Sequence, residues 1–150
     1  MLGVRGDDWY FSYVVDGILP RIPLPAKPER TEGLWHHTCF EAFVALKGGG
    51  YLEFNFSPSR QWAAFRFDGY RAGQSDFAIA APVIEPIEDG IRAAVKMTAI
   101  TRDRYNTALS AVIEETDGTK SYWALAHPPG KPDFHHPTCF AATLPAPQKP

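Results

Sequence analysis

Two neighbouring segments of this chain alternate apolar and polar residues with period two, and that alternation restricts the fold more than any other feature. In residues 51–57 the even positions Leu52, Phe54 and Phe56 make one apolar face, with Tyr51, Glu53, Asn55 and Ser57 opposite. In residues 61–68 the odd positions Ala63, Phe65 and Phe67 are apolar, while Trp62, Arg66 and Asp68 share the other side with Ala64. Strand side chains point alternately to two faces, so both segments are read as strands, not helices. Ser57-Pro58-Ser59-Arg60 is the turn between them. The expected pairing buries Phe54, Phe56, Phe65 and Phe67 as one core face and leaves Glu53, Asn55, Trp62 and Arg66 together on the other. A face with that chemistry can hold a polar ligand.

Strand signals recur along the chain with turn residues between them. Residues 36–46 read as a strand ending in the hairpin turn Lys47-Gly48-Gly49-Gly50, and further strands are expected over 8–15, 77–84, 91–98, 109–115 and 121–127. Asp117-Gly118 is a tight turn between the last two. Thr101–Ala108 is read as a short helical turn. From Leu19 to Gly33 the prolines at 20, 23, 25 and 28 impose an extended, irregular path. Many short strands with little or no helix indicate an all-β sandwich or barrel. A length of 150 residues is about one domain, and 45% apolar residues with 13% aromatics suffice for one core.

Charge narrows the function. With 15 Lys plus Arg against 17 Asp plus Glu, the net charge is 15 − 17 = −2, and no basic run stands out. That argues against nucleic acid or a membrane surface as partner. The N-terminus lacks the apolar stretch and cleavage site of a signal peptide, and no apolar run approaches the roughly 18 residues of a membrane span. A soluble, cytoplasmic protein is expected. Cys39 and Cys139 make no disulfide framework and are expected as buried free thiols.

The tail from His127 to Phe140 holds Pro128, Pro129, Pro132 and Pro137 and cannot form a central strand. Long loops of mixed polar and apolar residues tend to bind or to cover. The tail is therefore expected to fold back over the sandwich with Phe134 as its anchor. It should lie near the segment Trp35 to Cys39, bring His127 or His135 near His37, and wall one side of the ligand site.

With these strands placed, the chain resembles the DOMON-like family of domains related to the family-nine carbohydrate-binding modules, and more closely its bacterial single-domain branch. The resemblance is carried by Leu34-Trp35-x-His37-Thr38-Cys39-Phe40-Glu41-Ala42-Phe43, by Tyr51-x-Glu53-Phe54-Asn55-Phe56-Ser57-Pro58 and by Trp62-Ala63-Ala64-Phe65-x-Phe67-Asp68-Gly69-Tyr70-Arg71. Tyr122-Trp123-Ala124-Leu125-x-His127-Pro128-x-Gly130-Lys131-Pro132-Asp133-Phe134-His135 completes it. It implies an antiparallel β-sandwich, jelly-roll or immunoglobulin-like, acting as a binding module. Members of the wider group bind sugars between aromatic residues or haem through Met and His.

Sugar recognition needs flat apolar faces for the C–H side of a pyranose and polar groups for its hydroxyls. Trp35, Trp62 and Trp123 supply the first, Glu41, Glu53, Asn55 and Arg66 the second. His37, His127 and His135 complete the expected site from the strand ends and the tail. A transition-metal site would use His37, Cys39 and Glu41 with His127 or His135, although H-x-C is not a familiar zinc spacing. Haem would need an axial Met or a His pair, and Met97 is the only internal Met. No G-x-S-x-G, P-loop or dinucleotide fingerprint is present. Glu41 and Glu53 could pair as a glycosidase acid and base, for which their separation would have to be about 5 to 9 Å. The leading expectation is a module for carbohydrate or another small polar ligand, with no cofactor and no assigned catalytic residue.

Overall fold

The computed structural model describes residues 1–17, 20–97 and 104–145. Its strands are β1 (Leu2–Arg5), β2 (Asp8–Val14), β3 (Cys39–Ala45), β4 (Tyr51–Phe56), β5 (Trp62–Phe67), β6 (Ser75–Asp76), β7 (Val83–Ile87), β8 (Gly90–Lys96), β9 (Tyr105–Glu114), β10 (Lys120–Ala124) and β11 (Ala142–Leu144). They form two antiparallel sheets. The smaller has the order β1-β2-β8-β7, and the larger β10-β9-β3-β4-β5-β6, with β11 beside the start of β9. Single 3-10 turns at Leu34–His36 and Pro137–Cys139 are the only helical pieces among the described residues, so none could cross a membrane.

The sheets pack face to face as a β-sandwich. Trp9 and Phe11 of β2 and Ile91, Ala93 and Val95 of β8 meet Phe40, Ala42 and Val44 of β3, Leu52, Phe54 and Phe56 of β4, and Leu109, Ala111 and Ile113 of β9. These are the alternate positions that a two-layer fold buries. Phe54 is fully enclosed, edge-on to Trp9 and tilted against Phe11. Gly90 allows β2 and β8 to close at their end, since a Cβ there would lie 1.8 Å from the Tyr13 carbonyl oxygen.

The two alternating segments do pair, but one residue out of the expected phase. The turn occupies five residues, 57–61, so Phe56 faces Trp62, Phe54 faces Ala64 and Glu53 faces Phe65. A slip of one residue exchanges the faces of a whole strand. Phe65 and Phe67 therefore stand with Glu53 and Asn55 on the outer face of the larger sheet, while Trp62 and Arg66 stand with Phe54 on the other. Trp62 enters the core, where the Arg30 guanidinium lies 4.6 Å over its ring and donates to the Ala64 and Phe77 carbonyls.

Other boundaries shift as well. Residues 34–36 form a 3-10 turn before β3 instead of opening the strand, and 77–82 run irregularly between β6 and β7. Thr98 and 101–103, parts of an expected strand and of the expected helical turn, lie outside the described residues. Residues 105–108 of that turn are strand.

Candidate functional site

The outer face of the larger sheet is not a solvated surface. Register places Glu41 and Phe43 of β3, Tyr51, Glu53 and Asn55 of β4, Phe65 and Phe67 of β5, Ser110 and Val112 of β9, and Lys120 and Tyr122 of β10 on this side. The Pro-rich tail covers part of it. Cys139 is buried there, and Phe134 and Phe140 pack against a second cluster of Phe43, Tyr51, Ala63, Phe65 and Phe67. Apolar residues on both faces are what a sheet covered on both sides requires.

The covering is incomplete and leaves an open cavity of about 460 Å³. Glu41 and Glu53 lie in its floor, and Phe65, Phe67, Val112, Tyr122 and Phe134 form its walls. Trp35, His36, Arg71 and Lys120 stand around it. Trp35 keeps 41% of its surface exposed, so its indole is available to a ligand.

The tail is held by one carboxylate. Asp133 accepts from Arg71 Nη2 at 2.7 Å, from Arg71 Nε at 3.2 Å and from the His135 backbone N–H at 3.2 Å, and it also takes the Tyr70 hydroxyl. Asp133→Ala should remove these bonds together. With Arg71 half exposed, the expected loss is about 1–2 kcal/mol, and hydrogen exchange should quicken across 133–140 before the rest of the domain responds. Unchanged exchange in that segment would show that ring packing alone holds the tail.

The anchored tail inserts His135 into the aromatic cluster, its ring 5.0 Å from Phe43 and 5.1 Å from Phe67 between centroids. Tyr51 Oη lies 2.7 Å from His135 Nδ1 and accepts from the Arg71 backbone N–H at 3.1 Å. Arg71 makes that bond from a left-handed backbone, φ 51°, a conformation with a cost for a non-glycine residue. With Tyr51 donating to Nδ1, the neutral imidazole carries its proton on Nε2, 3.6 Å from Glu53 Oε2. Burial, helped by Arg71, lowers the His135 pKa to about 4, so this contact is not an ion pair at neutral pH.

Burial acts on the glutamates in the opposite sense. It raises Glu53 to about 7, against the stabilising influence of Asn55 and Arg71. The Asn55 amide nitrogen, turned toward acceptors, donates to Glu53 Oε1 at 3.1 Å. Glu41 is raised well above an ordinary carboxyl by burial and by Glu53. The floor of the cavity therefore holds two carboxyls of raised proton affinity, of which Glu53 titrates near neutrality. Such a pair can both donate to and accept from ligand hydroxyls.

Of the residues expected in the site, Trp35, Glu41, Glu53 and His135 line this cavity, and Asn55 lies beneath it, fully buried against Glu53. The other five lie elsewhere. Trp62 is in the inter-sheet core, and Arg66 shares its face of β5, exposed at the surface. Trp123 points to the side opposite its neighbour Tyr122, into a separate groove with Val14 and Leu125. His37 turns to Glu114, with Nδ1 2.6 Å from Oε2, and Arg21 holds the other oxygen at 3.1 Å. His127 is exposed beside Phe134.

The proposed approach of His127 or His135 to His37 is thus replaced by the contact of His135 with Tyr51 and Glu53. Among the described residues no three His, Cys, Asp or Glu side chains are grouped to hold a metal, and Met97 is buried between the sheets. Cys39 and Cys139 are free and buried. Sequence reasoning missed Tyr51, Phe65, Phe67, Arg71 and Tyr122 as parts of the site. Parity with Glu53 in a five-residue turn would have found Phe65 and Phe67.

Comparison of the chain with protein-family models, with curated proteins and with solved structures finds no match in any of the three.

Proposed function

We propose that the domain binds a small polyhydroxylated ligand, a carbohydrate or a molecule of similar chemistry, in the cavity between the outer face of the larger sheet and the tail. The observation that carries this reading is the pair Glu41 and Glu53, each buried to within 6% exposure, in the floor of an open, aromatic-walled cavity. Burying carboxyls costs stability, and a sheet face that served only for packing would be as well filled by Leu or Val. Rings at Trp35, Tyr122 and Phe134 offer the apolar surfaces that flank a sugar, and the acids offer its hydroxyl partners. The small net charge favours a small molecule over nucleic acid or a membrane surface. A two-sheet antiparallel module with a covered binding face also accords with the DOMON-like resemblance, which we keep as part of the proposal.

Titration with a panel of mono- and oligosaccharides, followed by tryptophan fluorescence and calorimetry, tests the reading. A bound sugar should perturb Trp35, since Trp9 and Trp62 are in the core. Trp35→Ala should abolish the fluorescence response and weaken binding by about tenfold, the value of one stacking contact, with thermal stability nearly unchanged. Binding that survives Trp35→Ala but fails in Trp123→Ala would move the site to the other groove, and no binding by any sugar would end the proposal.

A further inference from the structure

We infer that the cavity also hydrolyses a glycosidic bond with inversion at the anomeric carbon, Glu41 acting as general acid and Glu53 as general base on water. The inference rests on the reading that the cavity holds a carbohydrate. It begins from register. Glu41 faces Asn55 and Phe43 faces Glu53, so the two glutamates are diagonal neighbours on one face of β3 and β4. Cβ atoms in that relation lie about 7 Å apart or somewhat less, and two side chains of equal length leaving the same face can hold their carboxyls at that spacing. Inverting hydrolysis needs roughly 6.5–9.5 Å to admit a water between the acids, whereas a covalent intermediate needs about 5–5.5 Å.

Environment then separates the roles. Glu41 is enclosed, and burial beside Glu53 holds its proton more tightly than in an ordinary carboxyl, which suits it to protonate a leaving oxygen. Glu53 has the Asn55 amide and Arg71 in favour of its charge, with His135 Nε2 beside it, and is the more readily ionised of the two. Two acids whose surroundings push them apart divide into acid and base. His135, oriented by Tyr51 and through it by the Arg71 amide, is a positioning residue for Glu53.

In the step itself, the Glu41 proton moves to the glycosidic oxygen as the C1–O bond breaks, and the bonding pair stays with that oxygen. The oxygen of a water bonds to C1 from the opposite face, and the water's proton passes to Glu53. One water is consumed and a hemiacetal and an alcohol are formed. Glu41 is left as carboxylate and Glu53 as acid, a state that proton exchange with solvent resets.

The test uses the whole chain and a panel of 4-nitrophenyl glycosides in both anomeric forms, with binding measured by calorimetry and release of nitrophenol measured between pH 5 and 9. Expected is turnover of the glycosides that bind, with a rising limb near pH 7 and a falling limb above it. Glu41→Gln and Glu53→Gln should each lose at least about 100-fold in kcat while binding stays within a few-fold. His135→Gln should shift the rising limb to higher pH, and azide added to Glu53→Ala should yield a glycosyl azide of inverted configuration. Binding without hydrolysis of any bound glycoside overturns the inference and leaves the binding proposal standing. Failure of every sugar to bind ends both, and a product of retained configuration ends the inverting assignment.

Discussion

Phe54→Ala is expected to destabilise the domain by about 3–5 kcal/mol, because it removes a whole ring from a site that cannot collapse around the loss. Phe54 is fully buried in the middle of β4 and touches aromatic rings from both layers, Trp9 and Phe11 of the small sheet and Phe56 on its own strand. The neighbouring Arg66→Ala, on the same face but exposed at the edge, should change stability by less than about 0.5 kcal/mol. Urea unfolding of the two variants separates these outcomes. A small loss for Phe54→Ala would mean that the two layers are not packed on this ring.

Glu53→Gln is expected to stabilise the protein at pH 8 by about 3 kcal/mol and to leave its stability at pH 4 almost unchanged. The folded state holds Glu53 at about 7, above its ordinary 4.5. Between those values the folded chain binds more protons than the unfolded one, so wild-type stability falls as pH rises through this window. Holding this carboxyl at about 7 instead of 4.5 corresponds to about 3 kcal/mol, an upper figure for a group that retains a little solvent contact. His135 works in the opposite direction. Its pKa is lowered from 6.5 to about 4, so its contribution is present above 6.5 and is lost as pH falls toward 4.

Glu41, raised as well, adds a second falling slope, so between about 4.5 and 6.5 the two glutamates outweigh His135 and the wild-type stability should decline across this window and continue to fall above it. Removal of Glu53 should leave Glu41 and His135 opposing one another and flatten the profile in this window, which thermal melts at half-unit pH intervals would reveal. If Glu53→Gln were no more stable than wild type at pH 8, the carboxyl would be solvated and the cavity floor less dry than its burial indicates. A stability gain on removing a polar group is itself a mark of a site kept for binding or chemistry.

The polar members of the site were legible because buried polar residues interrupt an apolar pattern. Glu41 and Glu53 stand out in otherwise apolar strands, and His135 stands out in a proline-rich tail with Phe134 as its anchor. The aromatic members were not legible in the same way. Phe65 and Phe67 alternate as core residues do, and nothing local distinguishes a ring that faces another sheet from one that faces a cavity. Arg71 and Asp133 are ordinary polar residues of loops until the fold brings them together.

Element type and layer structure follow from the order of residues alone. Period-two alternation requires strands, repeated turn residues require antiparallel connections, and strands apolar on one side require a second layer. The same order requires the tail to cover a face, since four prolines bar it from the ladder while Phe134 needs burial. Tertiary structure alone decided which face. Strand β5 carries apolar residues on both sides, Trp62 and Ala64 on one and Ala63, Phe65 and Phe67 on the other, so its pattern is satisfied by either register. One residue in the turn 57–61 chose between them and sent Trp62 to the core and Phe65 to the cavity. The identity of the site's neighbours depends on contacts between residues 20 to 84 positions apart, as between Arg71 and Tyr51 or Tyr51 and His135, and no local rule relates them.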